Sequence, residues 1–179
     1  MVYIALLRGI NVGGHMVKME RLRELFTELG LANVRTYIQS GNVFFESAEE
    51  NRETLTQTIE RHLQAALGYA VPVFLRTIPE IEQLFALDPF KDREVTADMR
   101  LCIAFTANPI PTPPALPLWS PKRDMEIVSM TTREAFIIWY IINGRPPASD
   151  SFLAKTLASA ATTRFYHTTA KILEAAKKG

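Results

Sequence analysis

The chain has 179 residues, 47% of them apolar, and its 20 lysines and arginines against 19 aspartates and glutamates leave a net charge of +1. That apolar content excludes a disordered chain, and the near-cancelled charge excludes a global field drawing in nucleic acid or an anionic membrane, so any anion site must be local. The start, Met1 to Arg8, has no basic leader and is interrupted too soon for a signal peptide, and no apolar run reaches the roughly 20 residues of a membrane span, so a cytoplasmic location is expected.

In chain order, Val2 to Arg8 reads as a strand apolar on both faces, followed by the loop Gly9 to Met16. Met19, Leu22, Leu25, Phe26 and Leu29 then recur at three- and four-residue intervals, which predicts a helix stopped by Gly30. Val34–Gln39 and Val43–Glu46 are β-rich runs around Ser40–Gly41–Asn42, a hairpin with a glycine turn. Ser47 and Glu50 have the spacing of a capping box, opening a helix through Leu55, Ile59, Leu63 and Leu67 that ends at Gly68. Val71 to Arg76 reads as a fourth strand and completes strand–helix–strand–strand–helix–strand, the ferredoxin-like order.

Thr77 and Glu80 repeat the capping-box spacing around Pro79 and predict a linking helix to about Leu87. Strand-like runs follow at Arg100–Thr106, Asp124–Met130 and Ala135–Ile142, then a helix from Ser151 to about Ala160, a short segment Thr162–Phe165 and a last helix from about Thr168. The second half thus echoes the first, with a proline-rich loop from Asn108 to Pro121 in place of its first helix. The expected fold is α+β: duplicated ferredoxin-like (βαββαβ) halves with antiparallel sheets, residues 1–87 including the linker helix and residues 88–179 including the C-terminal helix. The echo lies in element order, with no residue-level repeat. Cys102 sits in the apolar run Leu101–Phe105, so it reads as a buried, inert strand thiol, and as the only cysteine it can form no internal disulfide. Phe136 to Ile142 reads as a central strand with Trp139 in the core.

Three stretches, Ala5–Gly14, Tyr37–Val43 and Thr162–Thr163–Arg164, resemble the bacterial family known as domain of unknown function 1697 over nearly the whole chain. The resemblance implies a duplicated ferredoxin-like α+β fold and implies no activity. The chain departs from the family after Arg164, where Phe165–Tyr166–His167–Thr168 stands in place of the usual Asn-Trp with a Thr two residues later, and in the proline content of 108–121.

The loop Gly9–Gly14 lies between a strand and a helix, where backbone amides and the helix dipole can hold an anion. It matches neither standard nucleotide fingerprint: Asn11 takes the middle glycine's place in G-x-G-x-x-G, and no G-K-[ST] follows. The helix behind it is preceded by His15–Met16–Val17, with no residue of the usual capping types. In the ferredoxin-like order, the first and second strands are parallel about the third, so their ends share one edge about 10 Å apart. Arg8, Asn11 and His15 would then face Gln39, Ser40 and Asn42, and Arg8, Gly9, Asn11, Gly13, Gly14, Gln39, Ser40 and Asn42 are the expected site for a small anionic or polar ligand, a nucleotide included. The plainer alternative is that the glycines only permit positive φ and that Gln39, Ser40 and Asn42 only build the turn.

A second reading is a structural or protein-interaction module using sheet faces or the P-x-x-P of Pro111 to Pro114, which more simply serves as a stiff connector. A third is RNA binding, with Tyr3 and Phe44 as stacking rings, against which the RNP1 pattern is missing. His15, His62 and His167 lack metal-ligand spacing and no G-x-S-x-G is present, so no catalytic residue, metal or cofactor is assigned. Oligomeric state does not follow from the sequence.

Overall fold

A computed structural model describes residues 1–148 and 151–179, which form two compact units: Met1–Gln83 with Ile172–Gly179, and Leu84–Lys171. The fold is α+β with antiparallel sheets.

The first unit contains β1 (Val2–Leu7), α1 (Met19–Glu28), β2 (Ala32–Tyr37), β3 (Asn42–Glu46), α2 (Arg52–Leu67) and β4 (Val73–Thr77), with α3 (Ile78–Ala86) following directly and running past the unit's boundary. The sheet order is β2-β3-β1-β4, every neighbouring pair antiparallel. Because side chains alternate along a strand, Tyr3, Ala5 and Leu7 share a face with Val43, Phe45, Val73 and Leu75, and that face packs on Leu22, Leu25 and Phe26 of α1 and Leu55, Ile59 and Leu63 of α2. Ile4, Leu6, Phe44 and Phe74 on the opposite face are at most 1% exposed, which is why β1 contains no polar position.

The helix starts sharpen the sequence reading. Helix α2 begins at Asn51, not at the expected Ser47: the Ser47 hydroxyl accepts from the Glu49 amide and the Glu49 carboxylate from the Asn51 amide, building a turn ahead of the helix, and Asn51 Oδ1 takes the Thr54 amide at 3.0 Å. At α3 the expected reciprocal pair is present, with the Thr77 amide donating to Glu80 Oε2 at 2.7 Å and the Glu80 amide to Thr77 Oγ1 at 3.4 Å.

The second unit holds β5 (Met99–Thr106), β6 (Leu118–Trp119), β7 (Met125–Met130), β8 (Glu134–Tyr140), α4 (Ser151–Leu157), β9 (Ala161–Phe165) and the start of α5 (Tyr166–Lys177). Its sheet order is β6-β7-β8-β5-β9. Central β8 buries Ala135 to Ile138 completely, but Trp139 is only half-buried, packed against the core rather than within it. Strand β6 was not expected from sequence, since two residues carry no periodicity. Helix α4 ends at Leu157, short of Ala160, because Ala158 turns to a left-handed φ of +48°. Cys102 is fully buried beside Ile137, and burial pushes its thiol up to about 12. Buried Glu126 on β7 is held by a two-pronged contact from Arg93 at 2.6 and 3.1 Å and by the Tyr140 hydroxyl at 2.9 Å.

Candidate functional site

Strands β1 and β2 are parallel because each pairs antiparallel with β3, so the chain leaves β1 at the edge where the β2–β3 hairpin turns. The Leu7 amide donates to Gly41 O at 2.8 Å and the Arg8 amide to Pro72 O at 3.0 Å, fixing the exit of β1 between the hairpin and the approach to β4. Asn11 then braces the loop. Its Nδ2 donates to Gln39 O at 2.8 Å, its Oδ1 accepts from the Val17 amide at 2.7 Å, and its own amide donates to His15 O at 2.8 Å. The backbone of Asn11 lies at φ +57°, a conformation asparagine tolerates better than most residues.

Gly41 is required twice over: its φ is +76°, and a Cβ there would stand 3.0 Å from Leu7 Cβ and 3.3 Å from Ile10 Cβ. Gly9, Gly13 and Gly14, at φ +79°, +59° and +87°, have open space where a Cβ would be. Among the described residues the Gly13 and Gly14 amides donate to no acceptor. Helix α1 follows with Lys18 at its N-cap and no side-chain cap, as the sequence suggested, and its first internal bond runs from the Leu22 amide to Lys18 O at 3.0 Å.

All eight expected site residues come to this edge. Arg8, Gly9, Gly13, Gly14, Gln39 and Ser40 are exposed, and Asn11 is half-buried. Asn42 has no exposed surface, because its Nδ2 donates to Tyr37 O at 3.2 Å and Ser40 Oγ at 2.9 Å, so it serves the turn and offers a ligand nothing. Gln39 contributes its carbonyl to Asn11. Sequence reasoning missed three features here: Pro72 as the acceptor for Arg8, the His15 ring stacked on Tyr69 at 3.9 Å, and exposed Val12, Met16 and Ile38. The Ile38 backbone, at φ +50° for a β-branched residue, has no sequence signal at all.

The other motifs resolve differently. Tyr3 and Phe44 are 2% and 1% exposed and present no face to a base. Arg164 of Thr162–Thr163–Arg164 lies in β9 and is mostly buried, donating to Thr162 Oγ1 at 2.9 Å and Thr163 O at 3.2 Å, and burial lowers its guanidinium to about 10.

The backbone is similar to that of the conserved bacterial protein SP0830 from Streptococcus pneumoniae, with a TM-score of 0.66 and 24% identity over 97% of each chain, a likeness of fold. No curated protein matches the sequence. Residues 1–136, well over half of the chain, match the family described as "Protein of unknown function (DUF1697)", and the chain belongs to that family.

Proposed function

We propose that the edge formed by Arg8, Gly9, Asn11, Gly13, Gly14, Gln39 and Ser40 binds a small anionic or polar ligand. The observation that carries the reading is that the exposed glycines Gly13 and Gly14 have amides that donate to no acceptor among the described residues, in the loop that leads into a helix without a side-chain cap. Amides so placed, together with the dipole of α1, favour negative charge. Arg8 at the end of β1 adds a guanidinium suited to a bidentate anion contact, while Asn11 is the brace that keeps loop and hairpin together. The test is a thermal-shift series with inorganic phosphate, ADP and a metabolite panel on the wild type and Arg8→Met. A ligand-dependent rise in melting temperature that Arg8→Met weakens, by about 1.5–3 kcal/mol of binding, is expected. If no compound protects the wild type, the reading fails.

One observation favours protein interaction at the same edge: Val12, Met16 and Ile38 are 60%, 72% and 48% exposed on the two segments that Asn11 joins. Under that reading Met16→Asp abolishes a partner contact without altering stability, and a sedimentation run on the wild type at high concentration shows whether the partner is a second copy.

The two halves of the sequence, residues 1–87 and 88–179, are further read as copies of one ferredoxin-like arrangement. Supporting this, β2-β3-β1-β4 and β7-β8-β5-β9 correspond place for place, with β6 added at an edge and the proline-rich loop standing where α1 would be. A cytoplasmic location is supported by the single, buried cysteine. No helix among the described residues is long and apolar enough to cross a membrane.

A further inference from the structure

The second unit contains a cavity of about 780 Å³, within the range of small-molecule sites, walled by the turn ahead of β7, the turn after β8 and one face of α4. Its first wall is stiff. The Ser120 hydroxyl donates to Asp124 Oδ1 at 2.7 Å and accepts from the amides of Asp124 and Met125 at 3.2 and 3.0 Å. The second wall is closed by reciprocal backbone bonds of 3.0 Å between Ile142 and Arg145, which fix where the Arg145 side chain starts. On the third, Phe152 and Lys155 are three residues apart and so share a face of α4.

The lining combines an apolar part, Met125, Ile142 and Phe152, with three cations, Lys122, Arg145 and Lys155. Among the described residues none of the three cations forms an ion pair, and the one lining carboxylate, Asp124, is engaged by Ser120. Three cations against one carboxylate around one concave, partly apolar space leave a local positive field in a chain whose overall charge nearly cancels. We propose that this cavity binds a phosphate monoester with a compact apolar body: Arg145 takes the phosphate through its two-pronged guanidinium, Lys122 and Lys155 complete the neutralisation of the dianion, and Phe152 and Met125 receive the apolar group. This site lies wholly within the second unit and is independent of the edge proposed for the first.

The probe is phenyl phosphate, titrated into the full chain by calorimetry, with inorganic phosphate and phenol as its two halves. Saturable binding of phenyl phosphate, at least about tenfold tighter than either half, is expected, because charge and apolar contact act together. Arg145→Gln with Lys155→Gln is expected to weaken phenyl phosphate about tenfold or more at an unchanged melting temperature, and Lys122→Gln alone severalfold. Arg8→Met leaves this binding unchanged, which separates the two sites. The proposal is overturned by an absence of saturable phenyl phosphate binding, by inorganic phosphate or phenol binding as tightly, or by undiminished binding in folded Lys122→Gln and Arg145→Gln/Lys155→Gln variants.

Discussion

Replacing Asn11 with alanine removes the brace between the first loop and the hairpin, and the consequence can be worked from its contacts. Two side-chain hydrogen bonds are lost, to Gln39 O at 2.8 Å and from the Val17 amide at 2.7 Å, each contributing about 1 kcal/mol. Alanine must also hold the φ of +57° that asparagine tolerates, at a further cost of about 1 kcal/mol. The expected destabilisation is therefore about 3 kcal/mol, or a fall in melting temperature of about 6–12 °C for a chain of this size. Asn11→Gly separates the two causes, because it accepts the backbone conformation and loses only the bonds. Asn11→Asp keeps the acceptor for Val17 and sets a carboxylate against the Gln39 carbonyl, so it should also destabilise. Urea unfolding followed by far-ultraviolet circular dichroism is the suitable assay, since Trp119 and Trp139 both lie in the second unit and their fluorescence would under-report the first. A change of less than about 0.5 kcal/mol in Asn11→Ala would refute the reasoning, since surface substitutions without a structural role fall in that range.

Four further outcomes are expected. Gly41→Ala should destabilise by about 2–3 kcal/mol in urea, adding a 3.0 Å contact with Leu7 Cβ to the strain of its φ, whereas Gly13→Ala, with open space, should lose only about 1 kcal/mol; equal losses would contradict the packing argument. Arg93→Met should cost about 2–4 kcal/mol by leaving buried Glu126 with only the Tyr140 hydroxyl, and Arg93→Met with Glu126→Gln should recover part of it; additive losses in that double-mutant cycle would deny the coupling. Cys102, its thiol pushed up to about 12 by burial, should resist a thiol reagent at pH 8 until the protein unfolds, and rapid native labelling would show the strand to be accessible. Burial opposes the charge of Glu80, but the Thr77 amide and Arg52 outweigh it and lower its carboxyl below 4.5. Its contribution is therefore full above that value and lost as pH falls through the lowered one, so Glu80→Gln should flatten the loss of stability below about pH 4.5; an unchanged acid limb would remove Glu80 from the account.

The elements of this chain were legible because periodicity is local. The three- and four-residue spacing of Met19 to Leu29 and the β-rich runs on either side of the Gly41 turn need no knowledge of what lies opposite, and the Thr77–Glu80 box is satisfied by residues three apart. The element order of the first half also placed β1 and β2 parallel on either side of β3, which brought the eight expected site residues to one edge. Which of those residues face solvent was not legible. Asn11 and Asn42 are chemically identical, yet one braces two segments and the other is sealed in a turn, since each amide is claimed by carbonyls whose positions depend on strand pairing. The choice of Asn51 over Ser47 as a cap was likewise settled by a turn of three competing side chains. The cavity of the second unit had no sequence signal, because Lys122, Arg145 and Lys155 are scattered among ordinary surface charges. Hydrophobic period is written into neighbouring residues and survives without tertiary structure, whereas a concave site is a meeting of residues distant in the chain, and only the packed sheet and helices decide which of them meet.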